Sequence, residues 1–282
     1  MVKKKILLAV LAHPDDETFG MGGTLALYAR QGVEVHLITA TNGDVGEVDA
    51  DYLKGYMSIA DRRVSELKCA AKILGITKLH FLNYRDSGMA GTTDNNHPKA
   101  LAAQLIEKVA ARVAHLIRII KPQVVLTFDP IGGYYHPDHI ASHKAAVMGF
   151  KLAADKKFKD KLPPWQVRKL YFSIFPHGFL KVAVFVTKLI GKDPAHWGKN
   201  GDIDMESIAK VSYPVSARIN YRSVAQIKDE ASACHASQGG TEMTRGFLGW
   251  FRRTFQSNET FMRAFPQKAF RAIERDLFLG IL

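Results

Sequence analysis

Residues 5 to 19 read KILLAVLAHPDDETF. The run Ile6, Leu7, Leu8, Ala9, Val10, Leu11 is apolar without interruption and then breaks into His13, Pro14, Asp15, Asp16 and Glu17. A short continuous apolar run predicts a strand buried on both faces of a parallel sheet. Open α/β sheets bind ligands outside the carboxyl ends of their strands, which is where this imidazole and these carboxylates then fall. A second cluster, His136-Pro137-Asp138-His139, follows another apolar run, QVVLTFD at 123–129, through Pro130-Ile131-Gly132-Gly133-Tyr134-Tyr135. The two clusters are expected to meet at one site.

Outward from the first cluster, Gly20-Met21-Gly22-Gly23-Thr24 leads into LALYARQG, a predicted helix ending at Gly32. The glycines allow close backbone packing beside the site. They do not form a G-x-G-x-x-G straight after the strand, so the dinucleotide fingerprint is weak. VEVHLITA (33–40) predicts a second strand, followed by a loop whose Asp44 is read as turn chemistry or as a pocket residue. Helical spacing covers 57–75 and 99–120, the latter closed by Lys121-Pro122. KLHFLNY (78–84) predicts a third strand and 123–129 a fourth, and HPDHIASHKAAVMGFKLAA (136–154) a helix with Pro137 in its first turn.

Beyond residue 154 the pattern loosens. RKLYFSIF (168–175) predicts a fifth strand, and the lysine-flanked apolar stretch 179–191 a helix over the core or the site mouth. A polar break at 192–202 precedes a predicted strand at 210–219, a helix at 220–238 and a strand at 259–266. The aromatic and arginine-rich stretch 246–255 reads as core plus a solvated face, or as a membrane-facing patch. Strands alternating with helices predict an α/β fold, a doubly wound and mostly parallel sheet with right-handed crossovers. Residues 1–154 are expected to form the core carrying the site. Residues 155–282 would complete the sheet in the same domain and shape the substrate pocket.

The chain has 282 residues, with 47% hydrophobic and 23% charged, an ordinary globular composition. Cys69 and Cys234 form no C-x-x-C pair and indicate neither a disulfide framework nor a thiolate zinc site; each reads as a small buried hydrophobe. The basic start MVKKK and its apolar run mimic a signal peptide, but the run is short and feeds straight into the acidic cluster. No apolar stretch reaches the ~20 residues of a bilayer span, so a cytoplasmic location is expected. The net charge of +12 fits solubility or attraction to an anionic partner. No nucleic-acid-binding signature accompanies it, and nucleic acid is not expected as a partner.

His13 and Asp16, on one tight turn, and His139, at the start of a helix, can face one point. Two imidazoles and a carboxylate suit zinc with a fourth position open to water, and the set tolerates iron as well. Asp15 beside them is the candidate general base and His136 the group facing the oxyanion, with the Tyr134 hydroxyl as a second polarising donor. His143, one turn beyond His139, is an alternative ligand. It lacks the glutamate of an H-E-x-x-H helix. Glu17 reads as a hydrogen-bonding partner of the ligands.

AHPDDE at 12–17 and DPIGGYYHPDH at 129–139 together closely resemble the LmbE/PIG-L family of zinc-dependent N-acetylglucosaminyl deacetylases. The family includes the deacetylases of mycothiol and bacillithiol synthesis and the mycothiol S-conjugate amidase. The resemblance implies a Rossmann-like fold with zinc at His13, Asp16 and His139. It makes Asp15 the base, His136 the oxyanion partner, Tyr134 a mobile carbonyl-polarising residue and Asp138 an orienter of a site histidine. Tyr135 stands where the family often has glycine. Through RRVSEL (62–67) and RDSGM (85–89) the resemblance implies that Arg63 and Asp86 contact substrate. ACHASQ (233–238) and ETFMRAFP (259–266) resemble segments of the larger, mycothiol-type members, while 155–210 matches no family segment. His235 is read as a packing histidine or a site residue.

The expected function is therefore zinc-dependent deacetylation of an N-acetylated amino sugar or glycoconjugate, with metal-bound water attacking the amide and Asp15 taking its proton. The alternatives are cleavage of a sugar-linked thiol conjugate or a nucleotide-binding module, the latter opposed by carboxylates where a pyrophosphate would sit. Arg63 and the basic charge favour a substrate with an anionic group. By family resemblance a homo-oligomer is expected.

Overall fold

A computed structural model describes residues 4–175, 177–197, 201–244, 257–267 and 272–281. In chain order the elements are β1 (Ile6–Leu11), α1 (Asp16–Arg30), β2 (Glu34–Thr41), α2 (Ile59–Leu74), β3 (Lys78–Tyr84), α3 (Ile106–Ile120), β4 (Val124–Phe128), α4 (Gly132–Tyr135) and α5 (Pro137–Ala154). They continue with β5 (Lys169–Ile174), α6 (His177–Leu189), α7 (Met205–Lys210), β6 (Ala217–Asn220), α8 (Ala225–Cys234), α9 (Gly240–Thr244) and β7 (Asn258–Phe265).

The strands make a seven-stranded sheet in the order β3-β2-β1-β4-β5-β7-β6. β1 to β5 run parallel, and β7 is antiparallel to both β5 and β6. The expected α/β, Rossmann-like and mostly parallel sheet is therefore what forms. Leu7, Leu8, Ala9 and Leu11 of β1 have no exposed surface. Helices cover both faces of this central strand. Leu8 and Val10 pack with α3 and α5 residues such as Val113 and Phe150, while Leu7 and Leu11 pack with Leu25 of α1 and Leu67 of α2. The strand order reverses between β1 and β4, and both His-Pro-Asp clusters follow the carboxyl ends of these neighbouring strands.

Several expectations change. The helix expected from residue 99 begins at Ile106, because Leu101 N–H donates to Arg85 O (2.9 Å) and Ala102 N–H to Ser87 Oγ (2.9 Å). Those tertiary bonds take donors that a first helical turn would otherwise leave free. The strand expected over 210–219 is confined to Ala217–Asn220, since α7 extends to Lys210 and Pro214 has no N–H to give a ladder. The helix expected over 220–238 is cut to α8 by short 3₁₀ turns at Arg222–Val224 and Ala236–Gln238.

Cys69 and Cys234 correct the reading of them as unpaired hydrophobes. They form a disulfide joining α2 to the end of α8. The pairing was invisible to spacing arguments because its partners are 165 residues apart. α6 leaves Val182, Phe185, Val186 and Leu189 exposed, so it does not close the core. The aromatic and arginine-rich stretch 246–255 lies outside the described residues. No described helix is long and apolar enough to cross a membrane.

Candidate active site

β1 delivers the first cluster as a tight turn. Asp16 folds its carboxylate back so that Oδ2 accepts the N–H of His13 (2.7 Å) and of Ala12 (3.2 Å). The turn forces Asp15 to φ 120°, a region non-glycine residues rarely adopt. β4 delivers the second cluster through Gly132 and Gly133, at φ 64° and 76°. A side chain at Gly132 would meet His139 Cβ at 2.6 Å, so the loop can lie against the following helix only with glycine there. His136 then caps α5, its Nδ1 accepting the N–H of Asp138 at 3.1 Å.

The clusters converge. His13 Nδ1 and His139 Nε2 are 3.1 Å apart. Asp16 lies against both, with Oδ1 at 3.2 Å from His139 Nε2 and Oδ2 at 3.7 Å from His13 Nδ1. The outer nitrogens of both rings are engaged: His13 Nε2 meets Asp138 Oδ2 at 3.2 Å and His139 Nδ1 meets the carbonyl oxygen of Gly132 at 3.0 Å. Both partners only accept, so each ring carries its proton on the outer nitrogen. Two lone pairs consequently face one another across 3.1 Å beside a carboxylate. That arrangement calls for a cation. Donors held ~2 Å from a tetrahedrally coordinated ion sit a little over 3 Å from one another, so the spacing and donor types fit a divalent metal. His136 also belongs to the cluster: ring nitrogens of His13, His136 and His139 lie within 4.8 Å of one another. A second such group, His13, Asp86 and Asp138, shares the outer side of His13.

A proton is the other cation that can serve. Burial opposes charge on His13 more than any other single influence, yet Asp86, Asp138 and Asp16 together raise its pKa well above the usual value. Burial most strongly opposes ionisation of Asp16 as well, but His139 and His13 overcome it and hold that carboxyl well below the usual range. Asp15 differs. Burial and the charge of Asp16 push it up to about 6 against the pull of Arg63. A carboxylate so placed can gain and lose a proton near neutrality. His136 is pushed well below the ordinary value by burial and by its histidine neighbours. Since Nδ1 accepts from Asp138, the neutral ring carries its proton on Nε2 and can donate it.

The remaining residues surround a cavity of about 650 Å³, lined among others by His13, Asp15, Arg63, Asp86, Tyr134 and His136. Arg63 is buried and committed: its guanidinium donates to Pro14 O (2.8 Å), Gly43 O (3.1 Å) and Asp15 Oδ2 (2.9 Å). It nonetheless lines the cavity, with its Nε left without a hydrogen-bond partner. Arg62 pairs with Glu66. Asp86 accepts the N–H of Gly88 at 2.9 Å, and Asp44 anchors its loop by accepting the Asp86 N–H at 3.0 Å. Asp138 points away from the inner nitrogens, holding His13 and the N–H of Ser87 (2.8 Å). His143 turns aside, its Nδ1 at 2.8 Å from Phe128 O and its ring against Phe172.

Two hydrogen-bonding residues, Ser87 and Ser237, were not singled out from the sequence. Ser87 binds Asp138 through both its N–H and its hydroxyl. Ser237 binds Glu66, and Ala236, Ser237, Gln238 and Gly239 line the cavity. Ser87 adjoins Asp86 in RDSGM and Ser237 lies in ACHASQ, so motif membership was the available signal.

Comparison with known proteins places this geometry. Residues 8–149 match the family PIG-L, described as GlcNAc-PI de-N-acetylase. The 1D-myo-inositol 2-acetamido-2-deoxy-alpha-D-glucopyranoside deacetylase of Geodermatophilus obscurus is 35% identical over 254 residues, covering 84% of each chain. Among solved structures, the N,N'-diacetylchitobiose deacetylase of Pyrococcus horikoshii superposes with a TM-score of 0.63 at 20% identity, covering 93% of this chain and 84% of that one. GalB of Pseudomonas putida, a 4-carboxy-2-hydroxymuconate hydratase, does so with a TM-score of 0.61 at 21% identity, covering 95% and 99%. The two structural likenesses speak to fold alone, and their differing activities show that the sheet does not dictate the chemistry.

Proposed function

The chain belongs to the PIG-L family, and from that membership we propose that it is a metal-dependent hydrolase removing the acetyl group from an N-acetylated amino sugar or glycoconjugate. The observation that carries the reading is the facing pair of His13 Nδ1 and His139 Nε2, with Asp16 against both and Asp15 beside them on the cavity wall. The name of the Geodermatophilus relative supports a glucosamine-containing substrate.

In this reading His13, Asp16 and His139 hold the metal, zinc or ferrous iron. Such an ion supplies Lewis acidity, polarising an amide carbonyl and acidifying water. Asp138 and the Gly132 carbonyl fix both histidines in the tautomer that leaves the inner nitrogens free. Asp15 takes the proton of the attacking water and passes it to the departing sugar nitrogen. Arg63 occupies its Oδ2, which leaves Oδ1 for that proton. The Nε2–H of His136 donates to the acyl oxygen as negative charge gathers there. Tyr134, whose ring stands 4.9 Å from that of His139, lies on the cavity wall as a second donor. Asp86, on the same wall, is placed for sugar hydroxyls.

The test is acetate release from a panel of N-acetyl sugars and glycoconjugates, including N-acetylglucosaminyl-inositol, by holoenzyme, metal-stripped enzyme and enzyme with metal restored. Release by the first and third only, with Asp15→Ala losing on the order of 10²–10⁴-fold in turnover, is expected. Full activity without metal, or in Asp15→Ala, overturns the assignment.

A further inference from the structure

The Asp15 peptide is held in a conformation it would not choose. Its φ of 120° and ψ of −30° lie outside the regions open to ordinary residues, and such a residue persists only where its surroundings over-determine it. On the carboxyl side, its carbonyl oxygen accepts the N–H groups of Thr18 and Phe19. On the amino side its N–H donates to Glu17 Oε2 at 3.0 Å. Glu17 is fully buried, and so is the group that meets its other oxygen: His235 Nε2 stands 2.6 Å from Glu17 Oε1. An isolated carboxylate in such a place would be strongly disfavoured. Here the charge is matched by an imidazole from the far end of α8, 218 residues away in the chain.

The surroundings of His235 are built to keep it there. The preceding Cys234 is linked to Cys69 on α2. The His235 carbonyl accepts the N–H of Gly240 at 3.0 Å, where any side chain on Gly240 would strike Ser232 O at 1.9 Å. The ring lies edge-on to Phe19, with centroids 6.0 Å apart. His235 does not line the cavity and touches no metal-facing nitrogen.

We propose that His235 and Glu17 are positioning residues for Asp15: the buried pair pins the N–H of Asp15 and so aims its carboxylate into the cavity. The proposal rests on the reading of Asp15 as the general base. The chain of action is directional. Losing His235 takes away the partner that holds Glu17 Oε1, so the Glu17 side chain is free to turn away from the Asp15 N–H. The Asp15 peptide then relaxes.

The test compares His235→Ala, His235→Gln, Glu17→Ala and the double variant with wild type, each loaded with zinc and assayed for metal content, kcat and KM. Misplacing a reacting group by about 1 Å can cost on the order of 10²-fold, so His235→Ala and Glu17→Ala should each lose roughly that in kcat. KM should stay within about twofold and bound zinc at the wild-type level. Glutamine at 235 can still donate to Glu17 and should restore most of the turnover. Because the two residues act in series, the double variant should be no slower than Glu17→Ala. It also removes the side chain that His235→Ala leaves without its partner, which keeps the test open where His235→Ala folds poorly. Wild-type kcat in His235→Ala, loss of zinc in step with loss of activity, or additive losses in the double variant overturns the proposal. Asp15→Asn run alongside separates the two claims. Full activity there removes the base itself, whereas an inactive Asp15→Asn with an unimpaired His235→Ala removes only the positioning role.

Discussion

Glu66 holds Ser237 twice: Oε1 accepts the backbone N–H at 2.9 Å and Oε2 accepts the hydroxyl at 2.7 Å. The pair ties α2 to the segment that forms part of the cavity wall. Ser237→Ala removes one hydrogen bond to a buried carboxylate that keeps its other partners, Arg62 among them. A loss of about 1–2 kcal/mol in urea denaturation is expected. Because the wall moves while the reacting groups stay, KM should rise more than kcat falls. Unchanged stability together with unchanged KM would show that the contact is idle.

The facing nitrogens of His13 and His139 make metal content a direct readout. His139→Ala and His13→Ala should each purify without bound zinc under conditions in which wild type retains it. Zinc added to stripped wild type should raise the unfolding free energy by about 2.7 kcal/mol at a hundredfold excess over Kd, and should not stabilise either variant. Stabilisation of His139→Ala equal to wild type would remove His139 from the ligand set.

Gly23 sits where α1 crosses Tyr221, and a Cβ there would lie 2.2 Å from the ring's Cγ. Helix propensity favours alanine over glycine by about 1 kcal/mol. The clash falls on the ring's root, which rotation of the ring cannot clear, so α1 or Tyr221 must move. Overpacking of this kind costs about 1–3 kcal/mol, and the steric effect should win. Gly23→Ala is expected to lower Tm, and a raised Tm would mean the crossing is looser than drawn.

Away from the site, His80 carries a pH signature. Burial, with the nearby charges of His36 and Lys78, lowers its pKa from 6.5 to about 4. The unfolded chain therefore binds more protons than the folded one between these values. The contribution is fully present above about 6.5 and is lost as pH falls through about 4. His80→Gln should flatten the decline of stability across that interval. If the wild-type and variant curves stay parallel from pH 7 to about 4, His80 does not contribute to the acid response.

The central part of the sheet was legible because its signals are local. A six-residue apolar run, too short for a typical helix and closed by a turn signal, reads as a strand covered on both faces, and β1 is that. Parallel strands joined by right-handed helical crossovers must place their carboxyl ends on one rim. Hence the His13 and His139 clusters come together although 126 residues separate those two histidines. The C-terminal third was harder to read. Its β6 is only four residues long, and its helical signal is broken by 3₁₀ turns at Arg222–Val224 and Ala236–Gln238.

Residue pattern alone thus determined the α/β class, the rim on which chemistry gathers and the residue types gathered there. Tertiary structure decided which atoms face which. It turned the inner nitrogens of His13 and His139 toward each other, gave the Arg63 guanidinium to protein acceptors, joined Cys69 to Cys234 and set His235 against Glu17. The physical reason is range. Burial periodicity and turn chemistry act over a few neighbouring residues and leave a mark in the sequence, whereas a hydrogen bond between distant segments exists only once packing has fixed both at about 3 Å.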